Sequence, residues 1–247
     1  MPKFAHDAIV PDENSLQQKK HQVAGMFDQI AGRYDFLNGF LSIGIDKAWR
    51  KKAVDQLRAS APREILDVAT GTGDMALLLW KRLRPQHVTG IDISEKMLAI
   101  GREKIRDKGL ETSIELLSGD SERIKFSENS FDAVTVAFGV RNFEHLEQGL
   151  REMHRVLRPG GKLVVLEFSQ PSLKIFRGLY RFYMGVVAPL IVQLFSKNKK
   201  AYQYLDKSAR AFPEGAGFLN IMHEAGFTQT YLKTLSLGIC TIYCGSK

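Results

Sequence analysis

The chain is poor in cysteine, with only Cys240 and Cys244 among its 247 residues. Two thiols cannot build a disulfide framework, and no further ligands stand beside them to complete a metal site. Their even spacing puts both on one face of a strand as a buried reduced pair, so a reduced, cytoplasmic protein is expected. No apolar run reaches the roughly 18–20 residues needed to span a bilayer. The N-terminus is polar and has none of the pattern of a signal peptide. Nothing repeats, and no segment is of low complexity. Acidic residues are outnumbered, 27 against 35 Lys and Arg, for a net charge of +8. That balance favours an anionic partner, either nucleic acid or the anionic face of a membrane. The charge is nevertheless dispersed, with small clusters at 50–52 and 197–200, as on an ordinary solvated surface. At 44% apolar composition the chain can bury a full core, as one large domain or a domain with an appendage.

What is present centres on Ile65-Leu66-Asp67-Val68-Ala69-Thr70-Gly71-Thr72-Gly73-Asp74. An apolar run ends in an acid, a Gly-x-Gly turn follows, and a helical pattern begins at Met75. Such a strand–turn–helix unit brings backbone N–H groups and a helix N-terminus against a ligand. A dinucleotide fold would have glycine or alanine three residues after Gly73, and Ala76 stands there. Asp67 and Asp74 argue differently: carboxylates flanking the turn repel a pyrophosphate and attract a sulfonium ligand that carries an ammonium group. Val88-Thr89-Gly90-Ile91-Asp92 then ends a second strand on an acid suited to a ribose diol, with Ile93 beside it. Together these fit S-adenosylmethionine better than a dinucleotide. The plain alternative is that Gly71 and Gly73 only close a turn.

Along the chain, residues 1–14 lack periodicity and read as a flexible arm. Residues 15–30 have an amphipathic pattern, 33–38 are aromatic and polar at once, and a second helix starts near Leu41 and carries Trp49, Val54 and Leu57. Ser94 is placed to cap a helix over 95–108. Strands are expected at 113–117, 131–137 and 162–168, with a helix at 146–157 stopped by Pro159-Gly160-Gly161. Alternation of this kind predicts a parallel sheet with helices on both faces and ligands at the carboxyl ends of strands. Asp67, Asp92, Asp120, Ala137 and Glu167 should therefore surround one crevice. Residues 173–195 form an almost all-round apolar segment, read either as a core helix or as one that lies in a membrane interface or holds a lipid tail. Residues 213–225 read as a helix, and 227–235 and 238–243 as closing strands.

Three patches resemble the ubiquinone/menaquinone-biosynthesis C-methyltransferase family. They are Arg155-Val156-Leu157-Arg158-Pro159-Gly160-Gly161 running on to Leu166-Glu167-Phe168-Ser169, Phe138-Gly139-Val140-Arg141-Asn142, and the tail from Tyr202 to Tyr243. The first family signature, Tyr34-Asp35-Phe36-Leu37-Asn38 with Ser42 and Trp49, departs in having Leu37 for Met and Asp46 for His. Ala137 stands where many relatives carry Ser, and Asp120-Ser121 where they often have Asn-Ala.

The resemblance implies a Rossmann-like class I methyltransferase fold. This is an α/β, doubly wound, mostly parallel seven-stranded sheet forming a single domain over 15–247, with N-terminal helices or a lid at 15–60 and a helical insertion at 173–206. It implies S-adenosylmethionine as cofactor, held by Asp67, Gly71, Thr72, Gly73, Asp92, Ile93, Asp120, Ser121 and Ala137, and no metal. It also implies a polyprenyl quinol substrate, peripheral contact with a membrane surface, and no nucleic acid. Permanently cationic Arg141 would stabilise a phenolate, Asn142 would hydrogen-bond a ring oxygen, and Tyr34 would close over the ring. The bland alternatives are a surface ion pair of Arg141 with Glu144 or Glu147 and a packed lid role for Tyr34. A nucleic-acid amino methyltransferase is disfavoured, because Ala137-Phe138-Gly139-Val140 stands where an Asn/Asp-Pro-Pro-aromatic stretch belongs. A non-catalytic quinone- or lipid-binding protein of the same fold stays open, as does the choice between a naphthoquinol and a benzoquinol.

Overall fold

The computed structural model describes residues 4–42, 44–171, 178 and 199–247. The apolar segment 173–195 lies outside them, apart from Gly178. Strands β1 (Glu64–Val68), β2 (His87–Asp92), β3 (Ile114–Ser118), β4 (Phe131–Ala137), β5 (Leu157–Phe168), β6 (Thr228–Leu235) and β7 (Cys240–Ser246) form one sheet, ordered β3-β2-β1-β4-β5-β7-β6. The first five strands are mutually parallel, and β7 runs antiparallel between β5 and β6. Among the described residues seven α-helices accompany it: α1 (Lys19–Leu41), α2 (Ile45–Asp55), α3 (Asp74–Leu83), α4 (Glu95–Arg106), α5 (Leu146–Val156), α6 (Lys199–Ala211) and α7 (Ala216–Glu224).

The central strands read as nearly unbroken apolar runs because both of their faces are buried. Residues alternate between two cores. Ile65, Ala133, Val164, Leu166 and Ile242 pack with α2, α3 and α4 on one side. Leu66, Val68, Val134, Val136, Leu163 and Val165 pack with α5 and α7 on the other. Cys240 and Cys244 share the first of these cores as free, buried thiols, as their spacing predicts. Ser94 caps α4, its Oγ accepting from the Met97 N–H at 3.3 Å.

A third cluster joins Val23, Met26 and Ile30 of α1 to Met97 of α4 and Tyr204 of α6. It holds α1 beside the carboxyl ends of β1 and β2. No helix among the described residues is long and apolar enough to cross a membrane.

Three sequence expectations are corrected. Residues 4–14 are not a loose arm: Ala5–Ala8 form a 3-10 turn, His6 is buried, and its carbonyl accepts from Lys19 Nζ at 2.7 Å. Helix α1 does not stop near residue 30 but runs on to Leu41 through the aromatic–polar stretch. Finally, Pro159-Gly160-Gly161 does not precede β5; it lies inside that strand. Leu157 pairs with Phe131 and Lys162 with Ala133, so the extra residues form a bulge.

Gly101 of α4 packs directly on the glycine loop. A Cβ there would meet Leu116 Cδ1 at 2.5 Å and the Thr72 carbonyl carbon at 3.0 Å. Gly101→Ala is expected to cost about 1–3 kcal/mol in urea unfolding through this overpacking.

Candidate active site

Where β1 ends, the chain must turn sharply to enter α3. Ala69, Gly71 and Gly73 take positive φ, at 53°, 58° and 77°. Glycine is the residue for such positions. At Gly71 an added Cβ would meet nothing within 4 Å, so that backbone faces open space rather than packed side chains. A flat group can approach it closely.

The Gly71 N–H donates to Asp92 Oδ2 at 2.8 Å, and the Ser94 N–H donates to Asp92 Oδ1 at 2.9 Å. One carboxylate at the end of β2 thus fixes both the glycine loop and the start of α4. Burial pushes its pKa up, and each oxygen keeps a lone pair for a further donor. Ribose hydroxyls are donors of the right kind.

Gly71, Asp92, Ile93, Asp120, Ser121, Ala137, Asn142 and Tyr34 line one solvent-open cleft. Tyr34 stands edge-on to Phe27 at 5.7 Å between ring centroids. Asn142 Oδ1 is buried and makes no hydrogen bond, leaving an acceptor at the cleft wall. Sequence reasoning missed Lys20, whose Nζ lies 3.2 Å from Asp120 Oδ2 and brings a cation from α1 to the far end of the cleft. A lysine at a helical spacing carries no signal of this.

Asp67, Thr72, Gly73, Arg141 and Glu167 do not line that cleft, and four of these side chains are engaged elsewhere. Asp67 is 1% exposed, and accepts from the hydroxyls of Thr70 and Thr135, each at 2.6 Å. It sits opposite Thr135 in the β1–β4 register, so the pleat turns it into the sheet instead of toward a ligand. Thr72 donates to Asp35 Oδ1 at 2.7 Å, while Lys104 Nζ bridges Asp35 at 2.6 Å and Asp74 at 2.7 Å. Asp74, read as half of an ammonium cradle, is therefore already paired. Arg141 is 3% exposed; its Nη1 donates to Glu167 Oε1 at 2.5 Å and to the Phe138 carbonyl at 2.8 Å. Its partner is neither Glu144 nor Glu147. Burial pushes the Glu167 carboxyl above its usual range while the guanidinium opposes that. Neither residue reaches the crevice. His145 is exposed at the start of α5.

Burial raises the Asp67 pKa from 3.8 to about 6, against the hydroxyl hydrogen bonds that lower it. The difference corresponds to about 3 kcal/mol of preference for the protonated form in the folded state. That preference costs nothing below about pH 4, where both states are protonated, and its full amount above about pH 6. Urea unfolding of the wild type should therefore lose up to about 3 kcal/mol relative to Asp67→Asn as pH rises from 4 to 6.5. Parallel pH profiles for the two proteins would contradict this account.

Comparison with known proteins agrees with this geometry. Residues 15–247 match the ubiE/COQ5 methyltransferase family. The chain is 44% identical over 244 residues to a demethylmenaquinone methyltransferase of Bacteroides fragilis, covering 99% of each protein. It is 45% identical to a ubiquinone/menaquinone biosynthesis C-methyltransferase of Geotalea daltonii, over 94% of this chain and 99% of that one. Among solved structures, an S-adenosylmethionine-dependent methyltransferase of Thermotoga maritima superposes with a TM-score of 0.64 at 20% identity, over 91% of this chain and 99% of that one, which establishes the shared fold. With a cleft at the ends of β1, β2 and β4 and a family match over nearly its whole length, the chain belongs to the ubiE/COQ5 methyltransferase family.

Proposed function

We propose that this protein transfers a methyl group from S-adenosylmethionine to a ring carbon of a polyprenyl quinol, converting demethylmenaquinol to menaquinol. The observation that carries the substrate side is the buried, unpaired Asn142 Oδ1 in the same cleft as Asp92 and Gly71. A quinol hydroxyl is a donor that would satisfy it. The names of the Bacteroides and Geotalea relatives support the same reading.

When bound, S-adenosylmethionine supplies an electrophilic methyl on a sulfonium. Asp92 and the Gly71 backbone would hold its ribose, and Asp120 and Ser121 its base. Asn142 accepts a hydrogen bond from a ring hydroxyl and so fixes the ring's orientation, which accounts for much of the acceleration in such a transfer. That hydrogen bond draws the hydroxyl proton away from the ring oxygen and raises electron density on the adjacent ring carbon. The carbon would take the methyl as the sulfonium leaves as a neutral thioether, with the displaced ring proton passing to water. Tyr34 and Phe27 wall the ring from the α1 side and limit water.

Arg141 has a different part from a phenolate-stabilising charge. Neutralised by Glu167, it ties the Val140–Asn142 turn to β5 and thereby places Asn142. The long tail of the substrate and the excess of basic residues support peripheral association with an anionic membrane surface from the cytoplasmic side.

The direct test is incubation of the purified protein with labelled donor and reduced demethylmenaquinone, with a benzoquinol as competitor. Label on the naphthoquinol ring is expected; label only on the benzoquinol would move the assignment to that substrate, and none on either would remove the activity. Asn142→Ala should lower kcat/KM roughly 10–100-fold with donor affinity unchanged. Arg141→Leu alone should cost about 3–5 kcal/mol of stability by stranding Glu167, and Arg141→Leu with Glu167→Leu much less. Retained turnover in the double variant would show that the guanidinium charge is not needed for the chemistry.

A further inference from the structure

A second cleft, polar and continuous with the first, opens on the other side of the glycine loop. The two share Tyr34, Ala69, Gly71 and Ala137 as walls. A ligand with its ribose at Asp92 and its sulfonium past Gly71 would extend its amino-acid end into this second space. That end carries a carboxylate, which a desolvated site must meet with a cation or a set of donors.

Two of the cleft's cations compare poorly for the task. Lys104 is held by two carboxylates, Asp35 and Asp74. Lys47 lines the cleft but is exposed to solvent. Arg50 differs from both. Its side chain is only 13% exposed, and its ion pair with Asp46 is loose, with Nε 3.8 Å from Oδ2. The Nε makes no hydrogen bond. Asp46 is meanwhile held by Ser42, whose Oγ donates to its Oδ1 at 2.7 Å. The guanidinium lies over the Phe138 ring at 5.2 Å, and Phe138 follows directly on Ala137 of the shared wall. Its neighbour Trp49 is pinned under the sheet edge by a 2.8 Å hydrogen bond from Nε1 to Ser236 Oγ, which fixes this turn of α2. Arg50 thus lines the second cleft with a planar fork whose Nε is unpartnered and whose charge also acts on buried Asp67.

We infer that Arg50 is the residue that receives the carboxylate of the methyl donor, making it a determinant of donor recognition on the N-terminal helices. The inference rests on the S-adenosylmethionine reading given above.

The test is calorimetric binding of S-adenosylmethionine and of decarboxylated S-adenosylmethionine, which differ in that one group. Wild type should bind the carboxylated form roughly 10–100-fold more tightly, as for a charge-assisted, two-pronged contact. Arg50→Gln should abolish this preference while leaving affinity for the decarboxylated form within about twofold, and that retained binding also certifies the fold. Arg50→Lys should keep only part of the preference, and Lys47→Gln all of it. If Arg50→Gln keeps the full preference, or Lys47→Gln loses it, Arg50 is not the carboxylate site although the donor reading survives. If wild type binds neither form, the donor reading falls, and this site with it.

Discussion

The Gly71 N–H to Asp92 contact is the constraint on which the functional half of this molecule depends. It joins the loop after β1 to the end of β2, two neighbouring parallel strands, at the place where the backbone must leave the sheet. Because Asp92 also accepts from the Ser94 N–H, the same carboxylate sets where α4 begins. Helix α4 in turn carries Met97, against which α1 packs, so the wall holding Phe27 and Tyr34 is placed at one remove by Asp92. A neutral residue there would still close the turn, but it would not combine two backbone anchors with acceptor capacity left over for a ligand.

The 138–142 turn is organised by burial of the opposite kind. Arg141 and Glu167 form an ion pair closed off from water, and Arg141 Nε and Glu167 Oε2 find no hydrogen-bond partner, so the arrangement is costly and serves placement more than stability. The Phe138 carbonyl takes the same Nη1, and the Phe168 N–H donates to Glu167 Oε1, so the pair braces the 138–142 turn against β5. Phe138 itself has φ 61° and its ring packs at a tilt on Phe168, 4.6 Å between centroids. A bulky residue in that conformation is strained and persists because its surroundings over-determine it. Asn142 inherits its position from this brace.

The sheet was legible because strands buried on both faces must be apolar throughout, and β4 was read with its exact bounds, 131–137. The glycine loop was legible for a related reason: few residue types can turn there. Which acids line the cleft was not legible. Asp67 and Asp92 both end apolar runs, yet Asp67 lies one residue before the end of its strand and the pleat turns it toward Thr135. Arg141 finds Glu167 across 26 residues, a pairing that only the β4–β5 register creates. Helix α1 was cut short in the reading because Arg33, Asp35 and Asn38 interrupt its apolar rhythm. Asp35 proves to be the point at which that helix meets the loop, at Thr72. His6 was invisible because a single 3-10 turn has no period to detect.

The two thiols of β7 have a practical consequence. Cys240 and Cys244 lie on the face of β7 turned toward α2 and α3, 0% and 3% exposed, with burial holding both in the protonated, unreactive form. A maleimide dye can reach them only in molecules whose antiparallel edge has come apart. The rate of labelling is then a native clock for the opening of this half of the sheet, available without introducing a probe and silent toward events in the cleft beside Gly71.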